Sequence, residues 1–203
     1  VGIMAALRKR GLVVQPFKVG PDFIDPTHHT QVCGRESRNL DPFMMTEENV
    51  RKTFVSATKG ADIAVIEGVM GLYDGVDGGD ESSTAHVARI LDAPIILVAD
   101  VKGMSRSCGA LVSGYTGFDK SLRFAGAVLT KGGSERHRSM VCSALPIPVL
   151  GWIPRTEALA VESRHLGLLL AEEDSRMKQT AELIEETCLL DEILKAASAA
   201  PAV

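Results

Sequence analysis

Five short apolar runs, each separated from the next by a stretch of helical periodicity, constrain this chain more than any other feature. They are LVVQPFKV (12–19), DIAVIEG (62–68), PIILVAD (94–100), FAGAVLT (124–130) and IPVLGWI (147–153). All are rich in β-branched residues and apolar at successive positions, the pattern of central parallel strands covered on both faces. Helices are predicted between them, at 2–10, 46–60, 82–92, 105–116, 134–145 and 173–197. Thr46 is suited to cap the second of these, with Glu47 and Glu48 at the positive end of its dipole. Val50, Phe54 and Ala57 then recur at i, i+4 and i+7, and Gly60 closes the segment. Such alternation predicts a doubly wound α/β fold, with a mainly parallel sheet and helices on both faces. The 203 residues suffice for one well-cored domain, expected over 1–203.

In sheets of this kind ligands bind at the carboxyl ends of the strands. The segments that follow the five runs are KVGPDFIDPTHH, EGVMGLYDGVDGGD, ADVKGMSRS, TKGGSERH and PRTEAL, which gather polar, Gly- and Pro-rich sequence at one edge. Asp22, Asp25, Glu67 and Asp74 are the carboxylates nearest strand ends. Converging carboxylates repel unless they hold a cation, and hard oxygen ligands suit Mg²⁺ with a bound phosphate. Glu67, directly after AVI, has the layout of the Mg²⁺-side acid in phosphate-loop NTPases. Lys18 ends the first run beside Gly20, Pro21 and Asp22, an arrangement suited to clamping an anion. Arg35 and Arg38 suit carboxylate or phosphate recognition. His28 and His29 have no metal-ligand spacing with Cys33 and read as loop residues. Asp77 and Asp80 read as turn residues beside their glycines.

Composition narrows the classes. A net charge of -4 gives no electrostatic case for nucleic acid. No apolar run approaches the ~18–20 residues that cross a bilayer, and VGIMAALRKRG has its basic residues after the apolar part, the reverse of a secretory signal. Cys33, Cys108, Cys142 and Cys188 are far apart, as expected of reduced thiols in a cytoplasmic protein. No G-x-x-x-x-G-K-[ST] phosphate loop occurs in the chain. The opening nonetheless looks like the helix that follows such a loop, so a first strand and phosphate loop are expected upstream of Val1. SALPIPVLG passes from helix to strand with almost no loop, and residues are expected to be missing near Leu145 and Pro146.

Together PFKVGPDFIDPTHHT, SRNLD, VIEGVMGLYDG, STAHVARILDAPIILVADVKGMSRS, GSERH, PVLGWIPR and SRHLGLL resemble, in matching order from about residue 3 to 172, the cobyrinic acid a,c-diamide synthase family. That family is related to dethiobiotin synthetase and, more distantly, to chromosome-partitioning ATPases. The resemblance implies a phosphate-loop NTPase-like synthetase domain using ATP and Mg²⁺. Such domains amidate the a- and c-acetate carboxylates of a corrin ring through acyl phosphates, with ammonia from the glutaminase domain that follows in the family. No such domain is read in this chain. It also implies roles. Lys18, Asp22, Asp25, Glu67 and Asp74 are the catalytic candidates, with Glu67 and Asp22 on the metal. Gly68, Gly71, Thr130 and Pro154 are expected at the nucleotide, and Phe23, Arg38, Asn39, Asp41 and Tyr73 at the tetrapyrrole. Phe23 stands where the family commonly has Tyr, and Thr130 where an Asn reads adenine. A homodimer stays open. So do amidation of another tetrapyrrole such as nickel-sirohydrochlorin, a non-catalytic partitioning-type nucleotide switch, and a scaffold domain.

Overall fold

The computed structural model describes residues 1–156 and 174–201. The expected motif at 163–169 and the first residue of the expected helix at 173 lie outside them. The described residues form two compact units, one holding 1–93, 174–181 and 201, the other 94–156 and 182–200. Both are α/β, with parallel strands flanked by helices, as the sequence predicts.

The first unit begins with helix α1 (Gly2–Lys9), which buries Met4, Ala5, Ala6 and Leu7 and ends in the basic Arg8 and Lys9. Strand β1 (Val14–Val19) follows and is buried along its whole length. Its position explains this, for it is the middle strand of a parallel three-stranded sheet. Strand β2 (Arg38–Leu40) lies on one side of it and β3 (Ile63–Glu67) on the other. Between β1 and β2 runs helix α2 (Asp25–Cys33), with Pro26 in its first turn and Gly34 at φ +63 as its left-handed end. Neither β2 nor α2 is among the elements predicted from the sequence. Strand β2 is three residues long and polar at two of them, too short for a periodic signal. The signs of α2 are present, since Pro at the start and Gly just past the end are the usual helix boundaries.

Helix α3 (Pro42–Ala57) starts four residues earlier than expected. Asp41 caps it by accepting a hydrogen bond from the Phe43 amide at 3.0 Å. Thr46 interrupts it at φ 67, and its hydroxyl accepts from the Asn49 amide at 3.5 Å, so the predicted cap restarts the helix. Helix α4 (Thr84–Leu91) is capped by Ser83. The unit's core joins Phe17, Val19, Leu40, Val50, Val87, Ile90 and Leu91. Asp41 is buried, so Asp41→Ala is expected to cost about 1 kcal/mol in urea unfolding. An unchanged midpoint would show that this cap contributes nothing.

The second unit has its own parallel sheet, in the order β4 (Ile95–Asp100), β5 (Phe124–Gly132), β6 (Val149–Pro154). Thus the six strands form two three-stranded sheets among the described residues, a refinement of the single sheet expected. Helices α5 (Ser107–Phe118) and α6 (Glu135–Cys142) supply Cys108, Val112 and Val141 to a core with Ala99, Val101, Ala127, Leu129 and Trp152. The connection from α6 to β6 is six residues long and closes with turns at Ala144 and Leu145, so a short loop stands where the sequence suggested almost none. The helix expected over 173–197 is two, α7 (Asp174–Thr187) and α8 (Leu190–Ser198). It breaks where Cys188 forms an isolated antiparallel bridge with Gly151 and the Leu189 amide bonds to Leu150 O. No described helix is long and apolar enough to cross a membrane, and all four cysteines are free thiols.

Candidate functional site

Parallel register places the site. Lys18 on β1 is opposite Asn39 on β2 and opposite Glu67 on β3, so the three form one row across the sheet. All three lie at or next to the carboxyl ends of their strands, the edge singled out by the sequence. The Lys18 side chain is 5% exposed, and its ammonium sits among acidic groups. Nζ donates to Asp25 Oδ2 at 2.6 Å, Glu67 Oε1 at 3.0 Å and the Gly68 carbonyl at 3.1 Å. Those three bonds account for all three ammonium protons. Asp22 Oδ2 stands 3.8 Å away.

The loop after β1 brings the carboxylates to this point. Asp22 Oδ1 accepts from the backbone amides of Ile24 at 2.7 Å and Asp25 at 3.3 Å, bracing the entry to α2. Asn39 Nδ2 donates to the carbonyls of Gly20 at 2.7 Å and Asp22 at 2.5 Å, which fixes the loop from its other side. Asp25, in the first turn of α2, then projects to Lys18. One turn further, His29 is fully buried, with Nε2 2.9 Å from Glu67 Oε2 and Nδ1 3.4 Å from Ser37 Oγ.

The electrostatics follow from these contacts. Burial by itself would lower the Lys18 pKa, but the hydrogen bonds from Asp25 and Glu67, and their charges, outweigh it and raise it. Burial would raise the Glu67 pKa. The His29 hydrogen bond, with the hydrogen bond and charge of Lys18, outweighs that and holds the carboxyl well below the usual range. For Asp22 the hydrogen bonds from the backbone amides of Ile24 and Asp25 outweigh burial and lower the pKa. Lys18 with Asp22, Asp25 and Glu67 sums to two excess negative charges. Among the described residues no three His, Cys, Asp or Glu side chains form a metal-binding group. A divalent ion that brings its own water and phosphate oxygens needs only one or two carboxylates, and Glu67 with Asp22 fit that donor set.

Other expected residues have different settings. Asp74 Oδ2 accepts from the Gly71 amide at 3.0 Å, closing a tight turn rather than joining the ring around Lys18. A side chain at Gly71 would collide with that same carboxylate, and one at Gly68 would meet Thr84 at 2.8 Å. Their glycines are therefore required by these packings, with Thr84 Oγ1 accepting from the Val69 amide at 2.9 Å. Tyr73 is half-buried in the same turn, and Phe23 is 80% exposed at the tip of the loop before α2. Arg38 pairs with Glu36 at 2.7 Å on the surface, and Arg35 binds Gln15 Oε1 and the carbonyls of Ala57 and Lys59. Asp80 pairs with Arg89 and accepts from Ser83 Oγ, as suits a turn residue. Asp41 also accepts from Ser82 Oγ at 3.3 Å, which ties the loop after β3 to the start of α3.

Thr130 and Pro154 belong to the second unit, near the carboxyl ends of the paired strands β5 and β6. Thr130 Oγ1 donates to Ala99 O at 3.4 Å. Beside them His137 Nε2 donates to Met104 O at 2.6 Å while Nδ1 accepts from the Gly133 amide at 3.0 Å, anchoring the loop after β5.

His29 is the site residue that sequence reasoning missed. Asp25 and His29 are four apart, one face of a helix, but that spacing has meaning only once α2 is recognised.

A parallel α/β frame with a lysine and carboxylates at its strand ends is the setting of a nucleotide-dependent domain. A family model described as an AAA domain matches residues 36–163, more than half of the chain, and the chain belongs to that family. Curated relatives sharpen this. The cobyrinate a,c-diamide synthase of Picrophilus torridus is 44% identical, over 96% of this chain and 46% of its own length. That of Archaeoglobus fulgidus is 42% identical, over 99% of this chain and 46% of its own. The hydrogenobyrinate a,c-diamide synthase of Mycobacterium bovis is 47% identical, over 89% and 41%. The chain spans under half the length of these relatives.

Proposed function

We propose that this chain is the synthetase part of an a,c-diamide synthase, amidating the a- and c-acetate carboxylates of cobyrinate with ammonia derived from glutamine. The observation that carries the proposal is the Lys18 ammonium ringed by Asp22, Asp25 and Glu67 at the ends of β1 and β3. ATP with Mg²⁺ would supply the phosphoryl group that activates each carboxylate as an acyl phosphate, and ammonia would then displace phosphate. Both partners of that transfer are anions, so the protein's work is charge neutralisation and in-line positioning.

The residues divide that work. Glu67 and Asp22 would hold the metal, and the two excess negative charges of the ring match a divalent ion. Lys18 stays cationic because Asp25 and Glu67 outweigh its burial. To meet an incoming anion it gives up its present carboxylate partners, Asp25 and Glu67, both of which are partly exposed. Asn39 keeps the Gly20–Asp22 loop in place during that exchange. Phe23, Arg38 and Tyr73 are the proposed surroundings of the macrocycle, and Thr130, Pro154, Gly68 and Gly71 those of the nucleotide. Relatives named for cobyrinate and for hydrogenobyrinate match the chain about equally, so the proposal rests on the two acetates and not on the ring's metal.

Product analysis with ammonia as donor tests this. Asp22→Asn and Glu67→Gln are each expected to lower amidation of cobyrinate by at least about 100-fold, the scale of losing one electrostatic group at a reacting centre. Full activity in both variants would refute the assignment.

A further inference from the structure

Glu67 is held at both oxygens. Lys18 takes Oε1, and His29 takes Oε2 from a fully buried position. An ionised carboxylate only accepts hydrogen bonds, so His29 Nε2 must carry a proton, while Nδ1 faces Ser37 Oγ at 3.4 Å. The rest of the chain of contacts fixes the ring. The Ser37 amide donates to Thr30 Oγ1 at 2.9 Å, and Thr30 Oγ1 donates to Pro26 O at 2.7 Å on the first turn of α2.

We infer that His29 is a positioning residue, which keeps the Glu67 carboxylate in its working orientation when Lys18 leaves it for an anion. This rests on the functional reading above. Two donors, one per oxygen, fix both the direction and the plane of a carboxylate. The Lys18 donor is mobile by chemistry, since a bound substrate or phosphoryl oxygen competes for it. His29 is buried, has no access to ligand, and hangs from a helix braced by Asp22 and Asn39. Its bond therefore persists through the exchange. Residues that orient a metal-holding side chain in this way commonly change metal affinity or activity by about 10- to 100-fold when removed.

Two variants separate positioning from packing. His29→Leu keeps the volume and loses the donor. His29→Gln places an amide donor near the former Nε2. In amidation with ammonia, His29→Leu is expected to raise the Mg²⁺ concentration for half-maximal rate about 10- to 100-fold, with the KM for ammonia unchanged. His29→Gln is expected to recover most of that loss. Nitrogen-15 NMR of the unmodified protein gives a readout that needs no turnover, and the His29 signals should be those of the Nε2–H tautomer. The Nδ1–H tautomer, or a His29→Leu protein with wild-type Mg²⁺ dependence, overturns the positioning role. So does a His29→Gln protein no better than His29→Leu. An Nε2–H tautomer in a wild-type protein that amidates no corrin diacid overturns the functional reading and supports the contact itself.

Discussion

Lys18→Met is expected to destabilise the chain by about 3 kcal/mol and to abolish amidation, the larger part of the stability loss coming from what it leaves behind. The methionine fills the same buried channel along β1. Asp22, Asp25 and Glu67 then face one another with no cation between them. If that repulsion is the cause, neutralising a second group must restore stability. Lys18→Met combined with Glu67→Gln should therefore recover more than about 1 kcal/mol relative to Lys18→Met alone, a coupling of the size seen for side chains in contact. Urea unfolding of the four proteins measures it. A single-variant loss below about 1 kcal/mol, with no recovery in the double variant, would show that the ring is solvated and not held together by its lysine.

The pH dependence has a definite sign. A group whose folded pKa is raised contributes its stabilisation fully below the unfolded value, 10.5 for lysine, and loses it as pH rises through the higher folded value. A carboxyl whose folded pKa is depressed contributes above its unfolded value, 4.5 for Glu67, and loses that contribution as pH falls. The stability gap between wild type and Lys18→Met is thus widest between these limits and narrows beyond either.

Phe17→Ala should cost about 4 kcal/mol, within the range for truncating a buried aromatic residue. Phe17 is fully buried in the middle strand of its sheet and stacks on Phe54, with ring centroids 5.1 Å apart at 29°. The control lies six residues on. Phe23 is 80% exposed, and Phe23→Ala should change stability by no more than about 0.5 kcal/mol. Equal losses at the two positions in thermal or urea unfolding would contradict the burial described for this sheet.

The frame of this fold was legible because apolar runs carry it. Each of the five runs read as strands overlaps a strand, with ends displaced by two residues at most. Strand β2 was not legible because RNL has neither length nor apolar alternation. Its partners supply its stability through pairing with Phe17, Lys18 and Val19. The break between α7 and α8 was hidden for a different reason. It comes from the Gly151–Cys188 bridge, a contact between distant parts of the sequence that no local pattern encodes.

The site was half legible. Asp22, Asp25, Glu67 and Lys18 stand out because charged residues at the ends of buried strands need partners, and they prove to be each other's partners. Asp74 looked the same in sequence but turns its carboxylate to a backbone amide two glycines away from any strand end. Asp41 looked like part of a substrate loop and is a buried helix cap. His29 looked like loop because α2 looked like loop. In each case the local sequence was compatible with both settings, and the choice was made by tertiary placement.

The row formed by Asn39, Lys18 and Glu67 has one more consequence. A strand slipped by a single residue turns every side chain to the opposite face of its sheet. Were β1 to slip so, Val19 or Phe17 would stand between β2 and β3 where the ammonium belongs, and the carboxylates would lose their cation. The misregistered chain would hence be unstable at the candidate site itself. Charge pairing and strand alignment are proofread by the same three positions, so the ammonium meets its carboxylates only in molecules whose sheet has already paired correctly.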